Sequence, residues 1–275
     1  MDESMGAPRC PRLAGSTPEL VAYRPCPMPL PLPAPGALQI QPLFPVALGL
    51  VQLRPDPLDL ARQMQVLLEL RGGAGSNPDP GCAWTGDLNG VWQLHRHALF
   101  ASLLAEIASH ARAYLGQLGF DPDRVALHIQ RCWPVLSEPG QVVGRHHHPN
   151  AHLSAVYYLS GDGSGRCGVL RCWPQRQLNE LVPGMAVGHG GPLAHSPWTQ
   201  PWQDVAPRAG LLVLFPACLD HAVLANEDDD SLRCSIAIDF ALTAAPVPAG
   251  VTPPEYLAPH PSQWTAITED GDLPA

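Results

Sequence analysis

Four of the twelve histidines in this 275-residue chain fall within seven positions, in the run Arg145-His146-His147-His148-Pro149-Asn150-Ala151-His152. In an extended strand, His146 and His148 project from one face and His147 from the other. Two imidazoles converging from a His-x-His pair suit a single divalent ion. A third ligand from a distant strand would complete a facial set with positions left open. The same run could equally be a solvated histidine-rich loop. Downstream, residues 210–215 read as a buried strand stopped by Pro216, and Asp220-His221-Ala222-Val223 opens the next. Taken alone, a histidine after a turn is usually a hydrogen-bonded surface or core residue. Further on, Leu232, Cys234, Ile236, Ile238 and Phe240 alternate with Arg233, Ser235, Ala237 and Asp239. The first row is fit to pack under helices, and the second sets a guanidinium beside a hydroxyl. Buried there, Arg233 needs an anion, either a structural partner such as Asp239 or Glu227 or the carboxylate of a ligand.

Elements must hold these groups. Asp56-Pro57 supplies an N-cap and an N1 proline, and Leu60, Met64, Leu67 and Leu68 follow at helical spacing until Gly72-Gly73. Leu99, Leu103, Ile107, Tyr114 and Leu118 predict a second helix from about His95 to Leu118, with Gly119 at C′. Beyond it the pattern changes to short β-type runs at 125–133, 142–148, 153–159, 168–173, 184–187, 210–215, 221–224 and 232–242. Two helices followed by about eight strands predict an α+β fold, with the helices packed on one face of a double-sheet barrel.

Composition narrows the function classes. All 16 basic residues are arginines against 25 acidic ones, a net charge of −9 without basic clusters, which argues against nucleic acid as a partner. No apolar run is long enough to span a membrane. The 33 prolines are more than twice the usual share of about 5%. Those at 25, 27, 29, 31, 33 and 35 mark residues 1–37 as an extended arm, and a second proline-rich stretch makes 246–275 a tail, leaving 38–245 as the domain. The eight cysteines form no C-x-x-C pair, and the acidic start lacks a secretory profile. The expectation is a reduced, cytoplasmic protein with buried thiols; zinc on Cys167 and Cys172 would lack a second pair of ligands.

In order, the chain carries His146-x-His148-Pro149-Asn150, then Leu153-Ser154-Ala155-Val156-Tyr157-Tyr158-Leu159, Leu214-Phe215-Pro216 with His221, and Arg233-Cys234-Ser235-Ile236-Ala237. This ordered set resembles the 2-oxoglutarate/Fe(II)-dependent oxygenase superfamily, and more narrowly its branch of putative 2OG-Fe(II) oxygenases. Gln41-Pro42-Leu43-Phe44-Pro45 and Ala83-Trp84-Thr85 resemble that branch's opening, so the likeness runs from about residue 38 to 242. The chain departs from the branch with Ala155 for glycine and Asp239 for asparagine. It departs from the wider superfamily with His148 where an Asp or Glu ligand is common.

The resemblance implies a double-stranded β-helix (jelly-roll) core with the N-terminal helices on one sheet. His146, His148 and His221 would hold Fe(II), and Arg233 and Ser235 would grip the far carboxylate of 2-oxoglutarate. Tyr158 would reach the cosubstrate or else serve as core. No catalytic group is implied beyond the metal ligands. With O2, such an enzyme hydroxylates its substrate, a small molecule or a protein side chain, and releases succinate and CO2. A homodimer is left open. Two alternatives differ in kind: a cupin-type three-histidine metal enzyme without 2-oxoglutarate, and a non-enzymatic interaction module. The Arg233-x-Ser235 pair favours the oxygenase, because a distal carboxylate wants a bidentate donor and a supporting hydroxyl.

Overall fold

The computed structural model describes residues 34–36, 38–40, 46–176, 179, 181, 198–228, 231–253 and 257–267. The chain divides into two units, 1–45 and 46–275, and every element below belongs to the second. The arm apart from 34–36, the opening motif at 41–45, the strand expected at 184–187 and most of residues 188–202 lie outside the described residues.

Helix α1 spans Pro57–Gly73, and the Asp56 carboxylate accepts hydrogen bonds from the backbone N–H groups of Leu58 and Asp59. Helix α2 spans Ala101–Gln117, shorter than the stripe from His95 predicts. Two 3-10 turns, Leu94–Arg96 and Ala98–Phe100, replace its first part. Between them the His97 ring accepts from the Leu99 N–H, as an N-cap does, so the helix restarts there. At its far end Gly119 takes φ +91°, the Phe120 N–H donates to Leu115 C=O and the Gly119 N–H to Gly116 C=O. That pair of bonds is a Schellman close.

Among the described residues ten strands follow one another: β1 Gly49–Gln52, β2 Trp84–Thr85, β3 Val125–Ser137, β4 Val143–His146, β5 Leu153–Tyr158, β6 Leu170–Cys172, β7 Gln203–Val205, β8 Leu211–Pro216, β9 His221–Val223 and β10 Arg233–Ala244. They form a six-stranded sheet, β1-β8-β5-β10-β3-β2, and a four-stranded sheet, β4-β9-β6-β7, with every neighbouring pair antiparallel. Strand β3 runs four residues past its expected end, through Pro134. A proline is tolerated there because β3 lies near the sheet edge, with only the two-residue β2 outside it.

The alternation along β10 sorts its neighbours. Cys234, Ile236, Ile238, Phe240 and Leu242 share one buried cluster with Leu103, Leu104, Ile107, Ala111 and Leu115 of α2 and Leu67 of α1. On the other face of the six-stranded sheet, Tyr158, Val213 and Phe215 pack with Leu170, Cys172 and Val205 of the four-stranded one. The space between the two sheets therefore receives the row that begins with Arg233. No described helix is long and apolar enough to cross a membrane.

Candidate metal centre

His146 and His221 are cross-strand partners, opposite each other in β4 and β9, which brings their ring centroids to 4.3 Å. His148 arrives differently. The strand expected at 142–148 ends at His146, and His148 lies two residues beyond, its backbone N–H held by Ala217 C=O at 2.9 Å. Its ring lies 5.1 Å from that of His146 and 5.2 Å from that of His221. One ring nitrogen from each of the three lies within 4.8 Å of the others, and this is the only such His/Cys/Asp/Glu group of three or more among the described residues. His147 turns away, to the half-buried Asp220 carboxylate at 3.2 Å, which also takes Arg145.

Each of the three rings has its Nδ1 committed. Gly144 C=O accepts from His146 at 2.7 Å, Leu219 C=O accepts from His221 at 2.8 Å, and Asp239 Oδ1 accepts from His148 at 2.5 Å. With Nδ1 protonated, Nε2 is the nitrogen that keeps a lone pair. Burial, above all, lowers the pKa of His146 and pushes that of His221 down to about 3, with neighbouring histidines adding to it. These two rings are thus neutral imidazoles at ordinary pH, the form that binds a metal. Three convergent imidazoles fit a divalent first-row ion.

These rings line a cavity of about 490 Å³. Val135, Val143, Val156, Leu170, Phe215 and Val223 give it apolar walls, and Trp133, tilted against His148 at 5.7 Å, adds an aromatic one. Arg233 and Ser235 line the same cavity. Arg233 is 1% exposed, and its two hydrogen bonds are neutral: Nε donates to Gly168 C=O at 3.1 Å and Nη1 to Ser235 Oγ at 3.1 Å. No acidic residue forms an ion pair with it among the described residues. Gly168 sits at φ +75°, and a Cβ there would come within 2.8 Å of the Leu224 carbonyl and 3.3 Å of Arg233 Cδ. The Gly168 carbonyl that steadies the guanidinium therefore depends on a position suited to glycine.

Several sequence expectations change. Asp239 does not pair with Arg233. It faces Arg131 across β3 and Ser154 across β5, and both donate to it at 2.9 Å. Burial alone would raise its pKa, but His148, Ser154 and Arg131 together hold it below the usual value. Tyr158 does not line the cavity: it is fully buried, with the Arg233 guanidinium 5.1 Å from its ring centroid. Burial raises its phenol pKa, with Arg233 pulling the other way. Asn226 is buried and donates to the Ser137 and Ser231 carbonyls. Among the described tryptophans, Trp133 is the one that lines the cavity. Cys167 contacts Asp228 and Ser231 rather than gathering metal ligands.

Sequence reasoning missed the Asp239–His148 contact, along with Arg131 and Ser154 as its supports. Alternation had already placed Asp239 on the face of Arg233 and Ser235, which was the available signal.

Comparison with known proteins follows the same lines. Residues 131–239 match the family model described as "Putative 2OG-Fe(II) oxygenase". No curated protein matches the chain. Among solved structures, the fold is similar to that of the non-heme alpha ketoglutarate dependent epimerase SnoN from nogalamycin biosynthesis, at 18% identity over 78% of this chain and 91% of that one, TM-score 0.51. The carbocyclase SnoK of the same biosynthesis is similar at 17% identity over 78% and 89%, TM-score 0.51. The matched segment is less than half of the chain, and it holds all three converging histidines with Arg233 and Ser235, so that over this segment the chain is similar to the 2OG-Fe(II) oxygenases.

Proposed function

We propose that His146, His148 and His221 hold Fe(II) through Nε2, and that Arg233 and Ser235 bind the distal carboxylate of 2-oxoglutarate. The observation that carries this reading is a buried guanidinium with no acidic partner among the described residues, in the same cavity as three lone-pair nitrogens. An unpaired buried cation is costly, so the arrangement is best accounted for by an anion that arrives as ligand. A cupin-type three-histidine enzyme has no comparable need for it. The two sheets, in this reading, are a double-stranded β-helix with α1 and α2 on the outer face of the larger sheet.

When bound, Fe(II) supplies oxygen chemistry that couples oxidative decarboxylation of 2-oxoglutarate to oxidation of a substrate. The balance is R–H, O2 and 2-oxoglutarate going to R–OH, succinate and CO2. The chain's own residues do the positioning. Gly144 and Leu219 carbonyls and the Asp239 carboxylate fix the imidazole tautomers. Gly168 and Ser235 aim the guanidinium, and Tyr158 acts as a platform under it rather than touching the cosubstrate. Valine, leucine and phenylalanine walls keep water from the reacting centre.

The test is anaerobic addition of Fe(II), then 2-oxoglutarate, to metal-free protein, followed by exposure to O2. A visible metal-to-ligand charge-transfer band and succinate formation are expected. Stoichiometric iron binding with neither would refute the cosubstrate and favour the cupin-type reading.

A further inference from the structure

His146 and His221 rest their Nδ1–H groups on backbone carbonyls, whereas His148 alone rests on a carboxylate. We infer that Asp239 is a positioning residue that lends negative charge to the metal centre through the His148 imidazole. The inference rests on the ligand assignment proposed above. Three neutral imidazoles leave a divalent ion with its full charge inside an apolar-walled cavity, where an uncompensated charge is costly. A carboxylate hydrogen-bonded to the far side of one ligand raises that ligand's basicity and offsets part of the charge.

Geometry separates this role from tautomer control. A carbonyl is enough to fix a tautomer, as Gly144 and Leu219 do for the other two rings. Asp239 is fully buried, and an anion in that place must be sustained by donors. They come from its register partners: Ser154 Oγ–H donates to Oδ1, the oxygen that meets His148, and Arg131 Nη2 donates to Oδ2. A β-bulge follows immediately, where the register shifts between Asp239 and Phe240. The two sides of the carboxylate differ in solvation. The Arg131 side chain is 31% exposed, so its charge is partly screened by water, while the His148 contact is buried. The anion is therefore felt more strongly on the metal side than its ion pair alone suggests.

The experiment is anaerobic calorimetric titration of metal-free protein with Fe(II), without 2-oxoglutarate, alongside thermal melts of the metal-free forms. Asp239→Asn keeps an acceptor for His148 but removes the charge, and should weaken Fe(II) binding by about 10- to 100-fold. It also sets an amide N–H against Arg131, so a lower melting temperature is expected for a structural reason. The double variant Asp239→Asn with Arg131→Gln restores a neutral donor–acceptor pair at that contact. Its melt should recover while its Fe(II) affinity stays weak. Recovery of wild-type Fe(II) affinity in the double variant, or its retention in Asp239→Asn, would overturn the inference and leave the ligand assignment standing. Absence of stoichiometric Fe(II) binding by the wild type would instead overturn the assignment itself. If Asp239→Asn alone folds poorly, the double variant decides by the same criterion.

Discussion

Replacement of Arg233 by lysine keeps a positive charge and removes the planar fork, so it tests the cosubstrate assignment at one group. Of the five guanidinium N–H bonds, one goes to Gly168 C=O and one to Ser235 Oγ, leaving three for a ligand. A carboxylate bound by two of them makes two charge-assisted hydrogen bonds. Lysine offers a single nitrogen and also leaves the buried Gly168 carbonyl without its donor. Losing one charge-assisted bond costs about 1.5–3 kcal/mol, which is roughly a 10- to 150-fold rise in the Kd of 2-oxoglutarate. Arg233→Met removes the cation altogether and leaves a buried ligand carboxylate unpaired, at about 3–5 kcal/mol or more than roughly 150-fold. None of the three histidines is touched, so Fe(II) affinity should stay at the wild-type value in both variants. The assay is anaerobic titration of each Fe(II)-loaded variant with 2-oxoglutarate, with a metal-free thermal melt to check folding. Unchanged 2-oxoglutarate affinity in a folded Arg233→Met variant would refute the argument from the unpaired guanidinium.

Two further outcomes are expected. His221→Ala should abolish stoichiometric Fe(II) binding while the chain still folds, because the ring's one hydrogen bond is to Leu219 C=O; the lost bond is worth about 1 kcal/mol, or a few degrees in the melt of the metal-free protein. Failure of this variant to fold would mark His221 as structural instead. Metal-free wild-type protein should also lose stability on acidification. Burial lowers the pKa of His146 and takes His221 down to about 3, while an unfolded histidine titrates near ~6.5. Between those values the unfolded chain binds protons that the fold excludes, so stability is present above about pH 6.5 and declines as pH falls toward 3. Asp239, held below its usual value, extends the loss at the acid end. Urea unfolding at a series of pH values in the presence of a chelator measures this, and a flat profile from pH 7 to 4 would contradict the burial of neutral rings.

Much of the architecture was legible because it depends on local chemistry. Asp56 and Pro57 begin α1 and Gly119 closes α2, since capping needs only neighbouring residues. The alternation in β10 separated the helix-facing row from the cavity-facing one. What was not legible lacked either length or a local cause. Strands β1, β2 and β7 have four, two and three residues, too few for a period to show; β1 and β2 exist because a longer partner offers an edge, and β7 pairs with the equally short β6. The extension of β3 through Pro134 and the break before α2 at His97 depend on the sheet edge and on one ring nitrogen finding one N–H.

The metal centre divides along the same line. Strand alternation states which side chains share a face, and by that rule Arg233, Ser235 and Asp239 belonged together. It does not state which neighbour each one meets, because that is set by register between strands far apart in sequence. Register places His221 opposite His146, Arg131 opposite Asp239 on one side and Ser154 opposite it on the other. The His-x-His spacing named two of the three converging rings, but for a reason the structure revises. His148 is carried by a loop pinned to Ala217 and by its bond to Asp239, not by continuation of β4. Asp239 is thus tied to the orientation of His148 by its own bond to the ring. A change at residue 239 should therefore act at the metal before it acts on the hydrophobic core, whose buried row lies on the opposite face of the same strand.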